Sequence, residues 1–166
     1  TGKVAAEIIK IARQAKKTVI VDPKGADFNR YRGACLITPN LRELAEATGK
    51  AVETDRDVTA AAKHLIRKHK LGAVLVTRSA DGMTVVPAKG RAVHLAAESQ
   101  EIFDVSGAGD TVVAAIATAL GAGIPLADAA ALANVAAGIV VGKVGTSAAE
   151  AADVVHHAIK LSLPHR

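Results

Sequence analysis

Residues 104–111 read DVSGAGDT, and they stand at the predicted junction of a short strand and a long apolar helix. Gly107 and Gly109 allow a tight turn that leaves backbone N–H groups uncovered. The positive end of the helix dipole adds to these groups, so the turn is suited to binding an anion such as a phosphate group. Asp110 falls in the first helical turn, where its carboxylate is placed to accept a proton from an attacking hydroxyl. A plain Gly-rich turn, in which Asp110 only favours the helix N-terminus, is the alternative interpretation.

Short apolar strands alternate with helices on the amino-terminal side of this turn. Strands are predicted at 18–21, 34–37, 73–79, 83–87 and 92–96, and residues 101–106 are expected to lead from a strand into the turn. Helices are predicted at 3–15, 41–48 and 57–70, and beyond Asp110 at 111–120, 125–141 and 148–161. Strands that alternate with helices favour an α/β fold with a mostly parallel sheet covered on both faces. No repeat or linker divides the 166 residues, so one domain is expected.

Composition and charge exclude several classes of protein. The net charge is +5, but the basic residues are spread over predicted helix faces, and the sequence has only two Phe, one Tyr and no Trp for stacking on bases. A nucleic-acid partner is therefore not expected. No apolar stretch is long enough to span a bilayer, and Cys35 has no second cysteine with which to form a disulfide. A protein of the cytoplasm, without a membrane partner, is the default expectation.

The string at 104–111 resembles the D-T-x-G-A-G-D signature of the ribokinase-like, PfkB family of carbohydrate kinases. The resemblance implies that Asp110 is the catalytic base. It also implies that the amides of Gly107, Ala108 and Gly109 form the anion hole for the transferred phosphoryl group. Val105 stands where the family usually has Thr.

A second segment, residues 40–43, resembles the N-x-x-E motif of the same family. The resemblance implies that Asn40 and Glu43 help to hold magnesium and the nucleotide phosphates, with Glu43 acting on the metal through water. Hard oxygen ligands, often including water, are what magnesium requires. The same spacing is that of a helix capping box, which is the alternative interpretation.

Two further segments are similar to the family's nucleotide-binding parts. Residues 77–82, here called the nucleotide loop, resemble a T-x-G-x-x-G-like loop that binds nucleotide through Thr77, Ser79 and Gly82. Ser79 stands where the first Gly is common, and an ordinary Asp-Gly hairpin turn is the alternative. Asn134 resembles the polar residue beside the adenine pocket, although an Asn in an Ala-rich helix may instead face solvent.

Three more residues complete the predicted site. Residues 145–147 are similar to the end of the family's monovalent-cation loop, which faces Asp104, so Asp104 and Ser147 are predicted to bind a cation such as K⁺. Helix capping is the alternative for Ser147. Lys24 follows a predicted strand on a DPKG turn, where it is placed to meet nucleotide phosphates or a substrate phosphate. A solvent-exposed loop lysine is the alternative.

The similarity covers nearly all of residues 3–148 and is greatest to the heptose 7-phosphate kinase branch of the family. It implies ATP-dependent phosphorylation of the anomeric hydroxyl of D-glycero-β-D-manno-heptose 7-phosphate, a step of lipopolysaccharide core synthesis. Another sugar or nucleoside kinase and a non-catalytic nucleotide-binding fragment are the alternatives.

The same resemblance implies a ribokinase-like three-layer αβα domain of which residues 1–166 are only the carboxy-terminal, ATP-binding and catalytic-base portion. The amino-terminal half and the lid of the family have no counterpart in this sequence. An exposed sheet edge is expected where their strands would pair, and such an edge favours a homodimer or other self-association.

Overall fold

The computed structural model of the chain describes residues 2–98, 107–142 and 148–162. They belong to two compact units, a first unit of Thr1–Ser79 with Met83–His94 and a second of Ala80–Gly82 with Leu95–Arg166. The elements are α1 (Gly2–Gln14), β1 (Ile20–Val21), β2 (Leu36–Ile37), α2 (Leu41–Thr48), α3 (Asp55–His69), β3 (Ala73–Thr77), β4 (Met83–Pro87), β5 (Val93–Leu95), α4 (Ala108–Gly121), α5 (Leu126–Val141) and α6 (Ala151–Ser162). Residues 101–106, predicted to begin as a strand, lie outside the described residues.

The five strands form one sheet in the order β1-β2-β3-β4-β5. β1 pairs with β2 and β2 with β3 in parallel, whereas β4 returns antiparallel to β3. β1 and β2 have two residues each and are shorter than the apolar runs that predicted them. Among the described strands β1 has a neighbour on one side only, so its other edge is left unpaired. Pairing of further strands with this edge stays a prediction.

The core of the first unit lies between this sheet and helices α1, α2 and α3. Ala73–Val76 of β3 are all buried, as expected for a strand covered on both faces. On α3 the buried residues recur at helical spacing and are Val58, Ala61, Ala62, Leu65, Ile66 and His69. Aliphatic side chains therefore fill most of this core, and Phe28 and Tyr31 pack edge-to-face within it.

Helix α3 begins two residues before the predicted position because of its N-terminal cap. The Thr54 hydroxyl accepts a hydrogen bond from the Asp57 N–H, and the Asp57 carboxylate accepts one from the Thr54 N–H, which is a complete capping box. Hydrogen bonds from the side chain and then the backbone of Thr54 hold the pKa of Asp57 below its usual value. The ionised carboxylate therefore supports the helix start at all but strongly acid pH.

We expect His69 to make the chain sensitive to mild acid. Its ring is buried, and this burial, with Lys68 and Arg32 close by, lowers its pKa below the ordinary 6.5. As pH falls through 6.5, His69 binds a proton in the unfolded chain but stays neutral in the folded chain. The free energy of unfolding therefore decreases. Urea unfolding at a series of pH values should show this slope in the wild type and a flatter one in His69→Leu. An unchanged slope in His69→Leu would contradict the assignment.

The second unit is built on the pairing of α4 with α5, and α6 packs against α5. Alanines line the buried face of α5, which allows the two helix backbones to approach closely. Pro125 was predicted in the first turn of α5 but lies at its N-cap, in an extended conformation. Its carbonyl accepts the first intrahelical bond, from the Ala129 N–H, and its missing N–H costs nothing at this position.

Helix α1 carries an apolar stripe on its outer face. Val4, Ile8 and Ile11 are each more than half exposed, at 56%, 57% and 56%, whereas Ile9 is buried against the core. Their spacing places the three side chains on one face of the helix. None of the helices in the described ranges has the length and apolar character that a bilayer span requires.

Candidate functional site

Three of the predicted site segments meet at one edge of the first unit. Lys24, Asn40 and Thr77 follow the carboxyl ends of β1, β2 and β3, which are neighbouring parallel strands. Asn40 and Thr77 form a parallel bridge, and the Thr77 N–H donates to the Pro39 carbonyl at 3.1 Å. This edge is where open α/β sheets bind their ligands.

Asn40 and Glu43 form the capping box of α2. Asn40 Oδ1 accepts from the Glu43 N–H at 2.8 Å, and Glu43 Oε2 accepts from the Asn40 N–H at 2.9 Å. The structural interpretation of this motif is therefore confirmed. Asn40 Nδ2 and Glu43 Oε1 have no hydrogen-bond partner among the described residues, so the box fixes both side chains and leaves one polar atom of each for a ligand.

This donor set fits a magnesium ion carried by a nucleotide. No group of three His, Cys, Asp or Glu side chains within residues 2–98, 107–142 and 148–162 is placed to hold a metal. Magnesium is commonly bound by one or two carboxylates, with water and substrate phosphates as its other ligands. Glu43 supplies one such carboxylate, half-buried and held in place by the cap.

The nucleotide loop joins the antiparallel strands β3 and β4, so it is a hairpin connection as its alternative interpretation held, but a longer one than a two-residue Asp-Gly turn. Residues Ser79–Asp81 form a 3-10 turn, and β4 begins only after Gly82. Ser79 has a φ of +52°, so it takes the left-handed conformation that glycine adopts more readily than a residue with a side chain. Gly82 has a φ of +77° and is buried, and a Cβ there would lie 2.1 Å from the Leu95 carbonyl oxygen.

Lys24 is a solvent-exposed loop lysine, as its alternative interpretation held, and it stays a candidate ligand for phosphate. Its side chain is 75% exposed and forms an ion pair with Asp22 at 2.8 Å. The backbone of the residue is held more firmly, because its N–H donates to the Tyr31 hydroxyl and its carbonyl accepts from Arg30. The ammonium group is thus on the surface at the carboxyl end of β1, on a loop whose main chain is fixed.

The turn predicted as an anion site lies at the start of α4, in the second unit. Gly107 is the N-cap with a φ of +80°, and no side chain caps the helix. The first N–H groups of a helix have no intrahelical partner, so those that follow Gly107 are not used by the hydrogen bonds of α4. Gly107 and Gly109 have open space where a Cβ would stand, and Asp110 is exposed in the first turn. The turn therefore presents amides and one carboxylate side by side.

Asn134 is buried, so its solvent-facing alternative is wrong. It is 4% exposed, and its Nδ2 donates to the Ala96 carbonyl at 2.7 Å. Both residues belong to the second unit, where this bond ties the segment after β5 to the middle of α5. This contact is structural, and the predicted place of Asn134 beside a nucleotide base stays a prediction.

We expect Asn134→Leu to destabilise the protein by about 2 kcal/mol, because it leaves the Ala96 carbonyl without its partner. Equilibrium unfolding in urea measures the change. Asn29→Leu is a suitable control, because its side-chain amide bonds Asp27 on an exposed loop and its loss should cost less than about 0.5 kcal/mol. Equal losses in the two variants would contradict the structural role of Asn134.

Asp104 and Ser147, the predicted monovalent-cation ligands, lie outside the described residues. Cys35 is free and half-buried. Arg78, inside the nucleotide loop, was not singled out from the sequence. Its side chain is only 10% exposed and pairs with Asp55, a contact between residues 23 positions apart that no local pattern reveals.

The comparison with protein families decides the relationship. A family model described as pfkB family carbohydrate kinase matches residues 1–152. The chain belongs to this family. Bifunctional protein HldE of Rhodospirillum rubrum is 58% identical over 153 residues, which are 92% of this chain and 31% of that protein. Bifunctional protein HldE of Paramagnetospirillum magneticum is 61% identical over 146 residues, 88% of this chain and 30% of that protein. The chain thus spans about three tenths of the length of these PfkB relatives.

Solved structures of the PfkB type share the fold. Arabidopsis thaliana ribokinase, complexed with ribose and ATP, superposes with a TM-score of 0.85 at 24% identity over 94% of this chain and 52% of that one. Escherichia coli phosphofructokinase-2, in complex with potassium, gives 0.86 at 20% identity over 98% and 53%. The expected fold class, a partial three-layer α/β domain of the ribokinase type, is confirmed.

Proposed function

We propose that the chain is the carboxy-terminal portion of a sugar kinase domain that phosphorylates the anomeric hydroxyl of D-glycero-β-D-manno-heptose 7-phosphate with ATP. The observation that carries the kinase assignment is the exposed Asp110 in the first turn of a glycine-capped helix. The heptose substrate is supported by the likeness to proteins named HldE, at 58% and 61% identity. The product would be the 1,7-bisphosphate used for the lipopolysaccharide core.

The first unit would hold the nucleotide phosphates. Bound magnesium supplies positive charge that neutralises the transferred phosphate. Glu43 Oε1 is the carboxylate oxygen that would face the metal through water, and Asn40 Nδ2 is a donor to phosphate oxygen. Thr77 and Ser79 would contribute a hydroxyl and backbone N–H groups from the nucleotide loop, and Lys24 a surface cation.

The second unit would carry the chemical step. Asp110 would orient the sugar hydroxyl and take its proton, and the amides of Gly107, Ala108 and Gly109 would donate to the oxygens of the phosphoryl group in transit. The open space above both glycines supports this, because a phosphate must approach their backbone closely. Asn134 and Gly82 would border the nucleotide, and Asp104 and Ser147 would bind K⁺.

Two features support the proposal that a larger domain contains this chain. It matches 52% and 53% of the two solved kinases over nearly its whole length. The exposed stripe of Val4, Ile8 and Ile11 is also more apolar than a helix face in water usually is. Residues outside this chain would then supply the sugar contacts and the lid. Self-association through the free edge of β1 stays a prediction. A location in the cytoplasm, where ATP is available, also stays a prediction.

The experiment is a substrate panel on the full-length protein, assayed by ATP consumption. We expect turnover with heptose 7-phosphate and much slower turnover with ribose, fructose 6-phosphate and adenosine. Preference for a neutral pentose would overturn the heptose assignment and leave a PfkB kinase of other specificity. Saturable ATP–magnesium binding by calorimetry without turnover of any substrate would instead favour a non-catalytic nucleotide-binding module.

A further inference from the structure

Arg78 lies inside the nucleotide loop, but its side chain turns away from solvent. It immediately follows β3, between Thr77 and Ser79, and only 10% of its side chain is exposed. Nη1 donates to Asp55 Oδ1 at 2.5 Å and to Thr84 Oγ1 at 3.2 Å. One guanidinium nitrogen therefore joins the loop to the first residue of α3 and to the second residue of β4.

The partners of Arg78 are themselves held in place. Thr84 is fully buried, and its hydroxyl lies 2.9 Å from His94 Nδ1 on β5. His94 Nδ1 is also 3.8 Å from Asp55 Oδ2, so the four side chains form a closed group, here called the Arg78 cluster. Asp55 stands at the positive end of α3, where a carboxylate is favoured. The cluster thus links four elements of the first unit around the start of the loop.

This arrangement is a costly way to stabilise a protein. Arg78 Nε is buried without a hydrogen-bond partner among the described residues, and an unpaired buried donor lowers stability. Partly buried ion pairs are weak stabilisers compared with apolar side chains of similar size, and their best-supported use is to fix a geometry. The geometry fixed here includes Ser79, which is held in a left-handed conformation that a residue with a side chain resists.

We propose that Arg78, through Asp55 and Thr84, is a positioning residue that holds the nucleotide loop in its ATP-binding conformation. The inference rests on the proposed function. On one side the Thr77 N–H is bonded to the Pro39 carbonyl beside Asn40, and on the other Arg78 is bonded to α3 and β4. Thr77 and Ser79 are thereby ordered before the nucleotide arrives, and binding does not have to pay for ordering them.

The test compares Arg78→Leu, Asp55→Ala and the double variant of the full-length kinase, with ATP–magnesium affinity from calorimetry and KM and kcat from turnover. We expect each single change to weaken ATP binding by roughly three- to tenfold, with kcat altered less than about threefold. The double variant should be no weaker than Arg78→Leu alone, because both changes break the same link. Arg56→Leu is the control, since it removes an exposed arginine next to Asp55 that does not contact the loop, and it should bind as the wild type does.

Each outcome separates the inference from the proposed function. Asp55 is 56% exposed, so Asp55→Ala should fold even if Arg78→Leu does not. Wild-type ATP affinity in folded Asp55→Ala, or additive losses in the double variant, would overturn the positioning role and leave the kinase assignment standing. Absence of ATP binding by the wild-type full-length protein would overturn the proposed function, and the positioning role with it.

Discussion

Asp110→Asn is expected to lower kcat of the full-length kinase by about 10³-fold while its affinity for ATP changes little. Asn has nearly the shape of Asp but cannot accept the proton of the sugar hydroxyl. The carboxylate is exposed in the first turn of α4 and bonds no described residue, so the change removes chemistry without breaking a structural contact. Turnover with heptose 7-phosphate and calorimetric titration with ATP–magnesium measure the two quantities.

Asp128→Asn is the matched control for this prediction. Asp128 is exposed in the first turn of α5, so it has the same relation to a helix dipole as Asp110. The control should retain full turnover and lose at most about 0.5 kcal/mol of stability. Should Asp110→Asn lose less than tenfold in kcat, Asp110 would be a helix-terminus residue like Asp128, and the base would have to be sought elsewhere.

Gly82→Ala is expected to destabilise the protein by about 3 kcal/mol, the largest stability change among these predictions. The left-handed φ of +77° opposes any side chain, and the new methyl group would lie 2.1 Å from the Leu95 carbonyl oxygen and 2.6 Å from the Ala97 nitrogen. Backbone atoms cannot move aside as a flexible side chain can. The segment after β5 must therefore shift, and the Asn134 bond to Ala96 in the same segment should weaken with it.

Gly49→Ala separates the two causes. Gly49 ends α2 with a φ of +64°, but a Cβ there would meet nothing within 4 Å. Its loss should be about 1 kcal/mol, from the left-handed conformation alone. Urea unfolding of both variants gives the difference, which measures the close approach at Gly82. Equal stability losses in Gly82→Ala and Gly49→Ala would mean that the backbone at Leu95 moves away from the new methyl group at no cost.

The elements that the sequence predicted best are those with a strong local signal. The capping box of Asn40 and Glu43 and the αL glycine at Gly49 set the two ends of α2 correctly, because caps act within one helical turn. β1 and β2 were predicted too long, because an apolar run shows which residues are buried and not how many of them keep regular pairing.

In the candidate site, too, the sequence predicted the features that have a local signal and missed the contacts between distant segments. The motif at 104–111 and its likeness to a kinase signature could be recognised without coordinates, and they lead to Asp110 and to the family that the comparisons confirm. Side-chain contacts over long sequence distances could not. Asn134 was assigned to a ligand or to solvent, yet it is bonded to Ala96, 38 residues away. Arg78 was not predicted as a site residue, because its hydrogen bond to Asp55 joins segments that are distant in the sequence.

Local chemistry alone was sufficient to specify the α/β class, the caps of α2, the glycine-rich helix start and the carboxylate beside it. Backbone conformation at glycines and helix ends depends on neighbours a few residues away, so the sequence states it directly. The tertiary structure decided which polar groups are buried and with whom they pair. Asn40 lies beside Thr77, and Arg78 beside Asp55, only because parallel strands end at a common edge and α3 begins near it. Such contacts depend on packing between distant segments, and no short window of sequence contains both partners.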